Sequence, residues 1–280
     1  MQKKPLELSD KAHLAPLLAS CRLQLSEYSF ANLYLFRKAH KYELLEGDDT
    51  YIKGITYDQK SFIMPTSLKG FHSLIENTDL YKSVDFIYPI PDEWYGLLDK
   101  GAWKIEFTEA DSDYIFDTKR LSHYSGRHLS KKRNLVKQFL ERYTPTEKVL
   151  DDTQITNAIS VLDQWKTDEA EDYDACKEAI MEHKALGLDG KIYFVADEPV
   201  GFILGEPTLA DTYIIHFAKA DIRFKGVYQY IYQAFAASCE SLHHFINMEQ
   251  DLGKPSLHQA KHSYHPLYMR HKFRLISLRS

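Results

Sequence analysis

The chain has 280 residues, 44% of them hydrophobic and 13% aromatic, with a formal net charge of −5. That length suits two modules of ordinary size, each burying its own core, and the composition excludes a disordered chain. The negative balance excludes a generally basic nucleic-acid binder while leaving room for a local basic patch.

In the first half the apolar spacing predicts a helix over residues 31–40 and a three-stranded meander over 43–45, 51–56 and 61–64. A helix over 67–76, a strand over 84–88, a helix over 91–99 and a strand over 103–107 follow. Residues 125–143 carry Leu129, Val136, Phe139, Leu140 and Tyr143 as an apolar helical stripe. Lys132 and Arg133 fall within or beside it, whereas Lys131, Asn134 and Lys137 point elsewhere. A buried unpaired cation is costly, so these two either snorkel or pair with carboxylates, or they face an anionic ligand in a cleft between domains.

The second half reads as helices over 154–165 and 176–188, closed by Gly187 and Gly190. Strands over 191–196 and 200–207 form a hairpin across Asp197, Glu198 and Pro199, and a third strand covers 212–219. An amphipathic helix over 227–242 packs Val227, Ile231, Ala234, Phe235, Ser238 and Leu242 and turns Gln229, Gln233 and Glu240 outward. A strand over 243–248, a short helix over 256–263 and a strand over 273–278 complete the order. An antiparallel meander leading into a strand–helix–strand crossover resembles the element order of a GNAT acyltransferase fold, and the first half repeats its rhythm. The expected class is α/β of mixed, α+β-like character. It comprises two GNAT-like domains, 1–124 and 145–280, each a mixed, mostly antiparallel sheet flanked by helices, with a basic connecting helix at 125–144.

Three groups of residues could carry chemistry. Gly226 lies where the third strand of the second half turns into its helix, within the run Arg223, Phe224, Lys225, Gly226, Val227, Tyr228, Gln229. Free N–H groups of the first helical turn and the helix dipole form an anion site suited to a pyrophosphate, with Arg223 and Lys225 adding charge. A backbone-only reason for the glycine is the bland alternative. Next, strand alternation carried to its end puts Asn247, Glu249 and Asp251 on one side, where a carboxylate could serve as base; the alternative is an acidic capping turn. Last, Lys261, Ser263 and Tyr264 supply a cation and two hydroxyls, Tyr264 as proton donor to a leaving group and Lys261 steadying an oxyanion or fixing Glu249. His262 and His265 are assigned no role.

Nucleophile elbow, Walker loop, His-Glu-x-x-His and Cys-x-x-Cys patterns do not occur, which removes the best support for hydrolase, nucleotide-triphosphatase and zinc readings. Cys21, Cys176 and Cys239 are far apart and odd in number, the pattern of buried reduced thiols. No apolar run approaches the roughly 20 residues a membrane-crossing helix needs, and the opening residues lack signal-peptide features, so a cytoplasmic location is expected.

The run Asn247-Met-Glu-Gln-Asp-Leu-Gly253, then Leu257 and Ala260-Lys261-His-Ser-Tyr264-His-Pro266, resembles the C-terminal motif of the phosphatidylglycerol lysyltransferase C-terminal-like family. Gly226-Val-Tyr-Gln229, the stretch Leu121, Gly126, Lys132-Arg133-Asn134 and Phe139, and the early Tyr28-Ser-Phe-Ala-Asn-Leu-Tyr34 do so too, in family order. His258 stands where family members often place Arg, and Tyr228 where the GNAT donor loop has a small residue. The resemblance implies a dual GNAT fold related to Fem-type aminoacyltransferases, with the active cleft in the second half. Members fused to membrane spans move an aminoacyl group from a charged tRNA to an anionic lipid.

The expectation is therefore acyl or aminoacyl transfer to an amine or hydroxyl acceptor, a small molecule or a lipid. The donor would enter between the strands around Phe217 and Ile246, with Glu249 as base or orienter, Asp251 as its partner and Tyr264 as proton donor. Lys132, Arg133, Asn247, Lys261 and Ser263 would bind substrate. Two donors compete: an acyl-coenzyme A anchored at Arg223–Gln229, and an aminoacyl-tRNA whose phosphates suit Lys131, Lys132, Arg133 and the 270–274 segment. No tightly bound cofactor and no metal is expected. A non-catalytic ligand-binding module that kept the fold is the rival.

Overall fold

The computed structural model describes residues 1–99, 101–165 and 172–278. Its elements run β1 (Gln2–Pro5), α1 (Lys11–Ser20), α2 (Phe30–His40), β2 (Glu43–Glu46), β3 (Thr50–Ile55), β4 (Ser61–Pro65), α3 (Leu68–Glu76), α4 (Thr78–Tyr81), β5 (Phe86–Pro91), α5 (Asp92–Tyr95) and β6 (Trp103–Phe107). Then come β7 (Asp113–Asp117), α6 (Thr118–His123), α7 (Ser130–Arg142), β8 (Pro145–Val149), α8 (Ile155–Asp163), α9 (Tyr173–Met181), α10 (His183–Leu186), β9 (Asp189–Val195), β10 (Glu198–Thr208) and β11 (Thr212–Ala220). The last are α11 (Val227–Cys239), β12 (Phe245–Asn247), α12 (Pro255–His262), β13 (Tyr268–Arg270) and β14 (Lys272–Ser277).

Two compact units result, one of Met1–Asp113, Gln250–Lys254 and Met269–Ser280, the other of Tyr114–Glu249 and Pro255–Tyr268. Each has a seven-stranded mixed sheet, ordered β1-β2-β3-β4-β5-β14-β6 in the first and β8-β9-β10-β11-β12-β7-β13 in the second. In the first, β4 and β5 run parallel and the other neighbours antiparallel. In the second, β11 and β12 are parallel, and the pairs from β8 to β11 and between β12 and β7 are antiparallel. Helices α3 and α4 link the parallel pair of one sheet, and α11 that of the other, so the two mixed sheets flanked by helices repeat one plan, as the sequence suggests.

Laid side by side, the sheet orders show an exchange. The place beside the last antiparallel edge is taken in the first sheet by β14, from the end of the chain, and in the second by β7, from its first half. This departs from the sequence boundaries at 124 and 145: the last strand belongs to the first unit, and α7, read as a connector, belongs to the second. Strand periodicity finds a strand but cannot name its neighbours, which pairing over long sequence separation decides.

Local chemistry explains the boundaries. The Ser29 and Ser67 side chains cap α2 and α3 by accepting from the Asn32 and Gly70 amides at 3.1 and 2.9 Å. Ala196 and Asp197 both adopt positive φ, 47° and 67°, the geometry that suits the two-residue turn between β9 and β10. The core of the second unit includes Tyr193, Phe202, Ile231 and Phe139, all fully buried. The helix expected over 91–99 is only α5, the one over 176–188 divides into α9 and α10, and α1, α4, α6, β1, β7, β8 and β13 are not among the elements expected from the sequence. Leu140 and Leu242, read as packing residues, are 50% and 68% exposed.

Candidate active site

In the second unit β11 and β12 pair only from Thr212 to Ile214 and from Phe245 to Asn247. Beyond that β11 continues to Ala220, so the strands part at Asn247. Opposite β10, the register of β11 slips by one residue: Leu204 faces Phe217 and Gly205 faces Ile215, leaving His216 as the extra residue of a bulge. A bulge bends its strand and re-aims a side chain. Here it gives His216 two carboxylates.

His216 Nδ1 lies 2.8 Å from Glu249 Oε1 and Nε2 lies 3.1 Å from Glu206 Oε1, with the imidazole wholly buried. Burial opposes a charge on the ring, but the hydrogen bonds and charges of Glu206 and Glu249 outweigh it and push its pKa up to about 10. At neutral pH the ring is therefore an imidazolium held between Glu206 and Glu249. Glu249 follows the end of β12 with φ 58°, a left-handed conformation uncommon outside glycine. Its amide donates to Asn247 Oδ1 at 2.6 Å, and its carbonyl accepts from the Tyr114 amide and, at 3.3 Å, from Lys261 Nζ. Asn247 and Lys261 thus hold the backbone of Glu249.

A second cluster gathers α7, α11 and the residues after α12. Tyr264 is 5% exposed; Lys132 Nζ lies 3.7 Å from its ring centroid and donates to Ser263 Oγ at 2.7 Å. The Gln229 amide reaches the Tyr264 hydroxyl at 3.3 Å, so Gln229 does not face outward as its helical position suggested. Tyr232 stands edge-on to Tyr264 at 5.3 Å and stacks with Tyr228. Burial pushes the Tyr264 hydroxyl far up, so it is a donor at neutral pH. Burial alone pushes Lys132 down to about 8, and its contacts are a hydroxyl and an aromatic face. A half-buried ammonium so placed favours an anion beside it.

The turn at Gly226 is built differently from the expected pyrophosphate cradle. Its φ is 95°, and a Cβ there would lie 2.6 Å from the Leu135 carbonyl oxygen and 3.1 Å from Phe139 Cβ, so the glycine admits the close approach of α7. Val227 is buried and its amide donates to Phe224 O at 3.0 Å. Arg223 pairs with Asp221 and, at 2.9 Å, with Glu198. The Tyr228 hydroxyl accepts from the Ala220 amide. Lys225 is exposed. The bland, backbone reading of Gly226 accounts for what is seen.

Three further expectations change. Asp251 falls in the first unit, where its Oδ1 accepts from the Gly253 amide at 2.8 Å, the capping-turn alternative; the neighbour that Glu249 has is His216. Arg133 donates to the carbonyls of Tyr124 and Gly126, closing the end of α6. In the 270–274 segment Arg270 pairs with Glu93, Lys272 with Glu27 and Asp113, and Arg274 with Asp58 and Asp111, so these cations already have carboxylates. Phe217 and Ile246 are both buried, on the two strands that part. His216 and Glu206 were missed; the available signal was a histidine inside an otherwise apolar strand, which burial obliges to find acidic partners.

The family model for phosphatidylglycerol lysyltransferase, C-terminal, matches residues 19–276. An uncharacterized protein of Mycoplasmoides gallisepticum is 23% identical over 195 residues, 66% of this chain, and the match spans 62% of that relative's length. A conserved protein of unknown function from Bacteroides thetaiotaomicron has a TM-score of 0.85 at 23% identity, over 99% of both chains. L-PGS from Bacillus licheniformis gives 0.66 at 14% identity, over 97% of this chain and 93% of its own. FemX gives 0.59 at 10% identity, over 99% and 98%. At such identities these structures bear on the fold alone.

Proposed function

The chain belongs to the phosphatidylglycerol lysyltransferase C-terminal family, and from that premise we propose that its second unit transfers an aminoacyl group from a phosphate-bearing carrier to an amine or hydroxyl. The observation that carries the reading is Lys132, a cation pushed down to about 8 by burial and bordered by Ser263 and Tyr264. A phosphate of the carrier would complete its environment. Of the two donors, an aminoacyl-tRNA is favoured over acyl-coenzyme A. The Gly226 turn is filled by α7, whereas α7 itself carries five basic residues against one acidic.

In the reaction, the acceptor nitrogen or oxygen bonds to the acyl carbon and the carrier's ester C–O bond breaks. Glu249 takes the acceptor's proton, held in place by His216, Asn247 and Lys261. The Tyr264 hydroxyl supplies a proton to the leaving oxygen and regains one from Glu249 through solvent. Burial raises its pKa and so keeps it protonated, able to donate, at neutral pH. The family description names phosphatidylglycerol, an anionic lipid with free hydroxyls, and a lipid of that kind is one acceptor of the class. Among the described residues no helix is long and apolar enough to cross a membrane.

The test is transfer from a mixed pool of labelled aminoacyl-tRNA, run beside acetyl-coenzyme A, with binding measured against salt. Transfer from aminoacyl-tRNA with a steep salt slope, weakened in Lys132→Ala, is expected. Transfer from acetyl-coenzyme A alone, or tRNA binding indifferent to salt, would overturn the donor.

A further inference from the structure

The first unit encloses a cavity of about 260 Å³, apart from the groups used above. Its lining includes Glu27, Tyr42, Tyr57, Phe62 and Tyr88. That volume is below the range of pockets for drug-sized ligands and suits a metabolite of about ten non-hydrogen atoms. Tyr42 and Tyr88 are 6% and 5% exposed. Among the described residues neither hydroxyl makes a hydrogen bond, and both oxygens are open to the cavity rather than sealed in the core. Two largely buried side chains therefore present unpaired hydroxyls to the cavity.

The charges around them are unbalanced. Lys272, on β14 and wholly buried, holds Glu27 and Asp113 at 2.7 Å each and donates to Gln250 Oε1 at 3.1 Å. Arg274, two residues on, holds Asp58 at 3.2 Å and Asp111 at 2.8 Å. Four carboxylates thus face two cations. The other titratable lining group is His40, whose Nδ1 is 2.8 Å from the Ile55 carbonyl and whose pKa burial lowers, so it adds no compensating charge at neutral pH. Burial, opposed by Lys272 and reinforced by Asp113, raises the pKa of Glu27 to about 7. Aromatic faces complete the wall: Tyr42 stands edge-on to Phe62 at 6.1 Å and Phe62 edge-on to Tyr88 at 5.4 Å, while Tyr57, 47% exposed, marks the mouth.

We propose that this cavity binds a small organic ammonium, its N–H groups donating to the Glu27 carboxylate and the Tyr42 and Tyr88 hydroxyls, its carbon skeleton against Tyr57 and Phe62. Acidic and phenolic acceptors with aromatic faces are the surroundings an ammonium prefers. An anion would meet the excess of carboxylates, and the Arg274 guanidinium, whose Nε has no partner among the described residues, already holds Asp58 and Asp111 through its two terminal nitrogens. The site is independent of the transfer reaction and would stand if that reading failed.

Tyramine and its neutral isostere tyrosol, titrated into the intact chain by calorimetry, decide the matter. Tyramine is expected to bind at least about tenfold tighter than tyrosol. Glu27→Gln and Tyr42→Phe should each weaken tyramine by about fivefold or more, with tyrosol little changed. Glu27 belongs to a buried ion cluster, so thermal melting checks that variant; should it fail to fold, Tyr42→Phe and Tyr57→Leu, outside the cluster, carry the test. Equal binding of the two compounds, no binding of tyramine, or tyramine binding unmoved by the folded variants would overturn the proposal.

Discussion

His216 Nδ1 and Glu249 Oε1 meet at 2.8 Å across the point where β11 and β12 part. Two irregularities make the contact: the bulge that aims His216 and the positive φ of Glu249 that closes the end of β12. Such departures from regular strand geometry cost free energy and gather at functional sites. A buried imidazolium bonded to Glu249 fixes its side chain in position, which is what a proton acceptor beside a reacting centre requires.

Glu249→Gln keeps the shape and removes the proton acceptor. Turnover is expected to fall by about 100-fold or more, with the apparent affinity for the carrier changed less than about threefold. Single-turnover transfer kinetics checks the split. Unchanged turnover would remove Glu249 from the chemistry.

The same contact predicts a pH dependence of stability. The folded pKa of His216, about 10, lies above its ordinary 6.5, so its contribution is fully present below pH 6.5 and is lost as pH rises through about 10. Urea unfolding of the native chain should therefore show stability declining across that window. In Glu249→Gln, with one carboxylate gone and the folded pKa lower, the decline should be complete at lower pH and smaller in total.

Lys132 has the opposite sign. Its folded pKa, about 8, is below the ordinary 10.5, so between these values the unfolded chain binds more protons and stability rises with pH. At neutral pH the half-buried ammonium is a cost. Lys132→Met is expected to stabilise the protein by about 1 kcal/mol, a figure discounted for the group's remaining exposure. Transfer from the carrier should fall by about tenfold or more in the same variant, a trade of stability for binding. Denaturant midpoints and transfer rates measured together test this; a variant both less stable and fully active would contradict it.

The sequence conveyed local order better than long-range partnership. The hairpin over β9 and β10, the strand β11 and the helix α11 follow from alternation, a short polar turn and helical spacing, each written in adjacent residues. The exchange of β7 and β14 was not legible, because Asp113–Asp117 pairs with residues 245–247, more than a hundred positions away. Glu249 and Tyr264 could be singled out as unusual polar groups in a dense segment. For His216 the sequence offered only a histidine in an apolar strand, since the bulge that aims it shows only when the partner strand is known. Gly226 was legible as a tight turn, but the residues that fill it, Leu135 and Phe139, lie on another helix.

Gly226→Ala separates the two meanings of that turn. The φ of 95° strains any side chain, and the new Cβ would come within 2.6 Å of the Leu135 carbonyl, a backbone atom that cannot swing aside. Left-handed strain and overpacking together should cost about 2–4 kcal/mol. The affinity for the carrier should stay within about twofold at a temperature where the variant is folded, because the close approach is to α7. Thermal melts and binding to aminoacyl-tRNA give both quantities. The reverse pattern, native stability with binding to a phosphate carrier lost, would make the turn an anion cradle and return acyl-coenzyme A to contention.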